Sequence, residues 1–383
     1  LALPKTVPEG ALASCTSVSW NASSSIVAVA YGALDRRAWA DGESMLCTWS
    51  VTRRQLDPTK ADGVVTLQHS LASVAFHPED PSVLAGGSFS GEILLWRLSA
   101  EGDRLQCKTL MSEYSHHEPV QQLAWTRSQA HGGYVLCSVS ADGKVLVWTP
   151  ANHLRDPALG YRLPTAHRAV VGEATAAATL VGGGGGRGAT LSFSAEDPTT
   201  FVVGLESGGI YKCALGANAE RSVDAVQGAL GELPWSADAA ALVARVPSTA
   251  FHALKRRVER EALLGNEKEV TLRSVFATQP DVDELFLSPA LFSFDGHAGP
   301  VYSVACSPLH RNIFASASTD GTVRVFHMLQ AAPLLVLEAP PRGTPLFACA
   351  WSSARPAVLA VGSSDGNLHV YDLQRSVSRP AAS

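Results

Sequence analysis

Three residues in the last quarter of the chain have the types needed for nucleophilic catalysis. His297, Ser316 and Asp320 could supply a base, a nucleophile and a carboxylate that orients the base. In such a site the carboxylate fixes the imidazole so that its second nitrogen can accept the serine proton. The first question is whether the chain is an acyl-transfer enzyme or uses these groups for another purpose.

The same set of residue types occurs twice. In both sets the aspartate follows the serine by four positions, and an aromatic residue follows the aspartate by six. An active site needs to exist once, whereas a buried hydrogen-bond chain that stiffens a structural unit can recur. We therefore predict a structural role and no catalytic residues. The second set consists of Ser138, Asp142, Trp148 and either His116 or His117.

Patterns that would bind a metal or a nucleotide are weak. The twelve histidines include no His-x-x-x-His pair, and the seven cysteines include no Cys-x-x-Cys pair. The glycine-rich stretch 182–188 is not followed by Lys-Ser or Lys-Thr, as a phosphate-binding loop requires. We expect no metal and no cofactor. The cysteines are interpreted as reduced, buried, apolar side chains in a cytosolic-type compartment.

The composition indicates a folded chain with many short strands. Hydrophobic residues make up 46% and charged residues 17% of 383 positions, and 32 glycines and 22 prolines interrupt short apolar runs. A net charge of -5 gives no electrostatic footprint for nucleic acid or for an anionic membrane. Neither partner is expected, and no apolar stretch is long enough to predict membrane insertion.

The chain contains an internal repeat in which apolar strands are separated by Gly-containing turns. In the second to sixth units the turn residue precedes the last residue of the third strand by the same six positions, as in the pairs 90 and 96, 142 and 148, and 320 and 326. Repeats of this size predict the four-stranded blades of an all-β propeller. The six units lie near residues 18–49, 74–96, 120–148, 190–213, 297–326 and 347–371.

Two intervals between units are too long for a blade. The first contains residues 181–188, predicted to be a flexible loop. The second, 215–290, is predicted to be an insertion between blades, with a helix at 248–264. Six blades are visible where related propellers usually have seven. Either 215–291 hides a degenerate blade or a seventh lies beyond residue 383, and we favour the second alternative.

The units resemble WD repeats. That resemblance implies that the histidine before the first strand, the serine of the second and the aspartate of the turn form a buried network. In WD repeats this network ends on the aromatic residue of the third strand. Phe326 departs from the pattern because it lacks an indole N–H.

Several segments resemble the dynein intermediate chain family more specifically. Segment 77–91 is similar to the second blade of that family, and 203–213 is similar to its Gly-Thr-Glu-x-Gly-x-Ile-x-Lys-Cys blade, with Leu205 in place of Thr. The similarity extends over most of residues 18–374. Asp320-Gly321 stands where most members have Asp-Trp, and this difference points to the dynein-2 branch.

The resemblance implies a non-catalytic motor subunit. Its propeller would bind the dynein-2 heavy-chain tail and join the intraflagellar transport train, with the second intermediate chain and the light chains bound through regions absent here. The expected location is the cilium or flagellum and the cytoplasm near the basal body, with cytoskeletal association. The alternative is a WD-repeat scaffold of another complex, such as a ubiquitin-ligase receptor or a chromatin adaptor.

Large residues beside turns are the candidates for partner binding, since propellers commonly bind through loops on one face. The first blade contributes Trp39, Arg36 and Arg37, and the second contributes Phe89.

Overall fold

The computed structural model describes residues 14–32, 44–53, 57, 59–99, 104–112, 115–129, 132–155, 157–164, 186–216, 288–376 and 380–382. Within these ranges the chain forms six antiparallel sheets, each from consecutive strands in meander order. The prediction of an all-β WD-repeat propeller with six visible blades is confirmed.

The first three blades have four strands each. Blade 1 contains β1 (Ser14–Trp20), β2 (Ile26–Gly32), β3 (Ser44–Ser50) and β4 (Gly63–Leu67). Blade 2 contains β5 (Leu71–Phe76), β6 (Val83–Ser88), β7 (Ile93–Arg97) and β8 (Leu105–Lys108). Blade 3 contains β9 (Val120–Ser128), β10 (Gly133–Ser140), β11 (Lys144–Trp148) and β12 (Leu159–Arg162), with a short 3-10 helix at Pro150–Asn152.

The other three blades repeat this plan. Blade 4 contains β13 (Gly188–Phe193), β14 (Thr200–Leu205), β15 (Ile210–Ala214) and β16 (Ala290–Phe294). Blade 5 contains β17 (Val301–Cys306), β18 (Ile313–Ser318), β19 (Thr322–His327) and β20 (Leu335–Glu338). Blade 6 contains β21 (Leu346–Trp351), β22 (Val358–Ser363) and β23 (Leu368–Asp372), and Ala382 bridges Val370 at the outer edge of β23.

The core lies between neighbouring blades and is formed by apolar residues on both faces of the middle strands. The inner strands β1, β5, β9, β13, β17 and β21 pack in chain order, each on the next. Between blades 1 and 2, for example, Ala28 and Leu46 meet Leu71 and Trp96. Small residues on the second strand allow this close packing, because Val120 of blade 3 lies where a side chain at Gly87 of blade 2 would be. The blades therefore pack on one another as stacked sheets and do not form separate domains.

Side-chain hydrogen bonds tie neighbouring inner strands together. Thr190 in blade 4 donates to Gln122 Oε1 of blade 3 over 2.6 Å and accepts the Val304 backbone N–H of blade 5 over 3.1 Å. Trp125 and Trp351 donate their indole N–H groups to carbonyls of the preceding blade. Trp20 occupies the same strand position in blade 1, but its side chain is 55% exposed. Blade 1 therefore differs from the others on the side that faces away from blade 2.

The structure corrects the position of the long insertion. The strands that flank it, β15 and β16, pair with each other in blade 4, so the insertion separates the third and fourth strands of one blade rather than two blades. The sequence pattern does not identify β16 as part of blade 4, because this strand is short and lies far along the chain from the other strands of its sheet. The predicted helix at 248–264 and residues 181–185 of the glycine-rich loop lie outside the described residues.

The cysteines are also less uniform than predicted. Cys47, Cys137, Cys213 and Cys349 are buried, as expected, but Cys15 is exposed. Cys107 and Cys306 are half-buried, and all seven are free thiols. Among the helices that the described residues contain, none is long and apolar enough to cross a membrane.

Candidate functional site

The first predicted set of polar residues is assembled in blade 5. Ser316 lies on β18, Asp320 in the turn that follows it, and His297 in the loop that enters the blade. His297 Nε2 lies 2.8 Å from Ser316 Oγ, and His297 Nδ1 lies 2.9 Å from Asp320 Oδ2. Asp320 also accepts the backbone N–H of Ala298 over 3.1 Å. One carboxylate thereby holds both the turn and the entry loop.

Blade 3 contains the same arrangement and decides between its two histidines. His116 Nε2 lies 2.8 Å from Ser138 Oγ, and its Nδ1 lies 3.0 Å from Asp142 Oδ2. His117 contributes only its backbone N–H to Asp142, at 3.3 Å, and its side chain is exposed. Trp148 donates its indole N–H to Ser138 over 2.9 Å, which completes the chain of four residues.

The third-strand residue of blade 5 makes a different contact. Phe326 has no polar hydrogen, and its ring stacks on Phe314 with centroids 5.1 Å apart and an interplanar angle of 11°. Phe294 from blade 4 meets both rings. In blade 5 an aromatic cluster therefore takes the place of the indole hydrogen bond.

Electrostatics favour an ionised aspartate in both networks. Burial raises the pKa of Asp142, but its interactions with His116 and with the Lys144 backbone N–H outweigh that effect and hold the pKa at about 2. The pKa of Asp320 is also lowered, because hydrogen bonds from His297 and Thr322 outweigh its burial. The pKa of His297 is lowered by burial, against the opposing pull of Asp320. We infer a neutral imidazole that donates from Nδ1 to the carboxylate.

The connectivity of serine, histidine and aspartate is that of a catalytic triad, but the surroundings do not permit catalysis. Ser316 and Ser138 have no solvent exposure, and His297 and His116 are 3% and 1% exposed. A substrate carbonyl must reach the nucleophile, and here closely packed strands cover both hydroxyls. The arrangement can fix loops to strands, and it offers no route for a substrate.

The turns between second and third strands lie on one side of the disc, which we call the turn face. It consists of residues 89–92, 141–143, 206–209, 319–321 and 364–367 in blades 2 to 6. In each blade the first turn residue donates its backbone N–H to the carbonyl just before an inner strand. Examples are Phe89 to Ser70 over 2.9 Å and Ser364 to Pro345 over 2.9 Å. The turn face therefore also carries the beginnings of the inner strands.

Of the predicted partner-binding residues, Phe89 can be placed. It lies on the turn face in blade 2 and is half-buried. Trp39, Arg36 and Arg37 lie outside the described residues, in the corresponding connection of blade 1. Tyr302 and Phe347, two exposed aromatic residues at the beginnings of inner strands, are not among the predicted partner-binding residues. The sequence signal for them is an aromatic residue one position after the first apolar residue of the strand.

The charged residues of the turn face are mostly paired. Arg187 lies 3.1 Å from Glu206 and 3.8 Å from Glu118, a tie between blades 3 and 4. Within the described ranges no three or more His, Cys, Asp or Glu side chains are grouped so that they could hold a metal ion.

Comparison with known families and proteins agrees with this architecture. The family model described as WD domain, G-beta repeat matches residues 108–149 and 289–327, which include the two networks. The chain is 36% identical over 371 residues to cytoplasmic dynein 2 intermediate chain 2 of Homo sapiens, with 95% of this chain and 58% of that protein covered. The Mus musculus protein of the same name is 34% identical over 379 residues, with 96% of this chain and 58% of that protein covered.

More distant similarity extends to other dynein intermediate chains. The cytoplasmic dynein 1 intermediate chain of Drosophila melanogaster is 22% identical over 342 residues, covering 88% of this chain and 45% of that protein. The resemblance to dynein intermediate chains, with the dynein-2 branch more similar than the others cited, is confirmed. The chain spans a little under three fifths of the first two relatives.

Proposed function

We propose that this chain is the propeller part of a dynein-2 intermediate chain, which holds the heavy-chain tail in the motor that drives retrograde intraflagellar transport. The observation that carries the proposal is the 36% identity, over 95% of this chain, to a protein named as a dynein-2 intermediate chain. The role is structural and involves no turnover.

The physical properties of the disc suit such a role. The two buried networks fix entry loops of blades 3 and 5 to their strands, and the Thr190 hydroxyl joins three blades. A partner that binds a rigid surface does not have to offset the entropy of ordering it. The propeller would therefore bind without rearrangement, and a motor could transmit load through it.

The heavy-chain tail is proposed to dock on the turn face. Phe89 lies there, and Trp39, Arg36 and Arg37, which lie outside the described residues, fall in the sequence between β2 and β3 of blade 1. An aromatic residue that is half-buried on a rigid turn is a favourable anchor, because little conformational entropy is lost when a partner covers it.

The test is capture of recombinant heavy-chain tails by this chain. We expect binding to the dynein-2 tail, weaker binding to the dynein-1 tail, and none to a dynein light chain, whose site is proposed to lie elsewhere in the protein. Phe89→Ala and Trp39→Ala should each weaken capture by tenfold or more, as about 1.4 kcal/mol at an interface implies. Val336→Ala is the matched control, since Val336 is 52% exposed on β20 and away from the turn face.

Capture of neither tail would contradict the motor role. A scaffold of another complex would then be the better assignment, with a ubiquitin-ligase receptor or a chromatin adaptor as the classes to examine. Capture that Phe89→Ala and Trp39→Ala leave unchanged would retain the motor role and reject the turn face as the docking surface.

A further inference from the structure

Every inner strand begins with a β-bulge. In each blade one residue of the inner strand has no partner on the second strand, as between Val301 and Ser303 or between Leu346 and Ala348. Because the extra residue stands outside the ladder, a bulge re-aims its side chain. The six bulge residues surround the axis of the disc where the inner strands meet the turn face. They are Thr16, Ala72, Gln121, Ala189, Tyr302 and Phe347.

Two of the six differ from the rest in kind. Tyr302 and Phe347 are aromatic and are 41% and 48% exposed, whereas the other four are small or polar. Their ring centroids lie 5.4 Å apart with an interplanar angle of 60°. Blades 5 and 6 thus present a pair of contacting aromatic rings at the mouth of the axis. Packing does not explain this exposure, since both residues could be small, as in blades 2 and 4.

The turn of blade 6 carries a carboxylate near the beginning of β21. Ser364 donates its backbone N–H to Pro345 O over 2.9 Å, which places the turn of blade 6, and Asp365 within it, next to the strand that carries Phe347. Asp365 occupies the turn position that Asp142 and Asp320 occupy in their blades, but the entry segment 339–345 contains no histidine to cover it. Its side chain is exposed.

Asp365 is ionised and carries uncompensated charge. Hydrogen bonds from Ser363 and Asn367 lower its pKa, and among the described residues no cation lies within ion-pair distance of it. Arg342 of the neighbouring loop is engaged 2.8 Å from Glu338. The faces of aromatic rings are electrostatically negative, so the rings and Asp365 attract the same sign of charge.

We propose that Tyr302, Phe347 and Asp365 form a binding site for an extended peptide segment of a partner protein that carries an arginine or lysine beside an apolar residue. The cation would lie over a ring face and pair with Asp365, and the apolar neighbour would cover the exposed ring edges. Polyanions such as nucleic acid are disfavoured by the same carboxylate and by the net charge of -5.

Asp365 belongs to the turn face, which is also the surface proposed for the heavy-chain tail, but the site lies away from the proposed anchor Phe89. Phe89 lies in blade 2, three blades from Tyr302 in blade 5 along the order of the disc. The inference does not depend on the motor role, because it follows from exposed rings and an uncovered carboxylate.

The test uses a fluorescein-labelled ten-residue peptide with one arginine next to one leucine in a glycine and serine background. Two control peptides carry glutamate or alanine in place of the arginine. Binding of each peptide to the chain is measured by fluorescence anisotropy. We expect the arginine peptide to bind with a Kd that rises with salt. The alanine peptide should bind about fivefold more weakly and the glutamate peptide more weakly still.

Variants of the chain locate the binding. Phe347→Ala and Asp365→Asn should each weaken the arginine peptide at least about fivefold, while Leu334→Ala, an exposed residue at 47% that precedes β20, should not. Thermal melts check that each variant folds. If Phe347→Ala does not fold, Asp365→Asn still tests the site, because Asp365 is exposed. Equal binding of the three peptides, no binding, or retention by Asp365→Asn would overturn the assignment.

Discussion

Trp148 donates its indole N–H to the Ser138 hydroxyl over 2.9 Å, and no donor occupies the equivalent place beside Ser316. Ser138 therefore contacts two buried side chains, the indole and the His116 imidazole, and also the Leu146 carbonyl at 3.3 Å, whereas Ser316 contacts the His297 imidazole. The two networks look alike in sequence but differ in what depends on the serine.

The two serines should differ in their contribution to stability. Ser138→Ala leaves two buried polar groups without partners and should lower the free energy of unfolding by roughly 3 kcal/mol, against roughly 2 kcal/mol for Ser316→Ala. Urea unfolding of both variants beside the parent chain measures the difference. Equal losses would show that the indole hydrogen bond contributes little.

Acid should destabilise the fold through Asp142. Its folded pKa of about 2 lies below the value of 3.8 expected without the fold, so its stabilisation is fully present above about pH 4 and is lost as pH falls towards 2. The shift corresponds to roughly 2 kcal/mol. Asp142→Asn should be less stable at pH 7 and should lose less stability on acidification than the parent chain.

The measurement is urea unfolding at a series of pH values between 7 and 2. Glu196→Gln is a suitable control, because Glu196 is exposed and forms only a surface ion pair with Arg311 at 3.5 Å. A parallel pH dependence of Asp142→Asn and the parent chain would assign the acid sensitivity to other carboxylates.

The Thr190 hydroxyl should matter more than its size suggests. Thr190→Val keeps the shape of the side chain but leaves the Val304 backbone N–H without its acceptor and removes a donor to Gln122. We expect a loss of roughly 2 kcal/mol. The same substitution at Thr200, whose hydroxyl binds Asp197 at the surface over 2.6 Å, should cost below about 1 kcal/mol. Similar losses in the two variants would contradict the three-blade role of Thr190.

Glycine at the turn of blade 2 should be required for two reasons. Gly91 has a φ of +89°, and a Cβ there would meet the carbonyl oxygen of His116. Gly91→Ala should therefore cost about 3 kcal/mol, from backbone strain and from this clash. Gly132 has a φ of +66° with nothing within 4 Å of an added Cβ, so Gly132→Ala isolates the strain, about 1 kcal/mol. Thermal melts of both variants provide the comparison.

Local spacing was sufficient to predict most of the fold. The fixed interval between the turn and the last residue of the third strand located blades 2 to 6. Nearby residues alone determine the hairpin formed by the second and third strands. The placement of the 215–290 insertion between two blades was wrong for the opposite reason. The pairing of β16 with β15 connects residues as distant as Tyr211 and Ser293, and nothing in the spacing of the chain records that contact.

Only those parts of the site that depend on residue type and spacing could be predicted from the sequence. The spacing of His297, Ser316 and Asp320 indicated a network, but the choice between His116 and His117 depends on which side chain points into the blade. Thr190 and Gln122 were missed, since each belongs to a different blade and only packing brings them within 2.6 Å. Tyr302 and Phe347 stand at bulges that the sequence does not reveal, and their exposure is known only from the structure.

The bulges at the beginnings of the inner strands separate positions that stabilise the sheet from positions that are freer to vary. A position inside the ladder must suit the neighbouring blade, so its side chain is constrained by stability. A bulge residue such as Ala72 or Phe347 contributes no ladder pairing, so the ladder constrains its side chain less than that of its neighbours. Repeated in six blades, this arrangement gives a ring of positions whose chemistry can diversify in evolution while the scaffold that holds them stays the same.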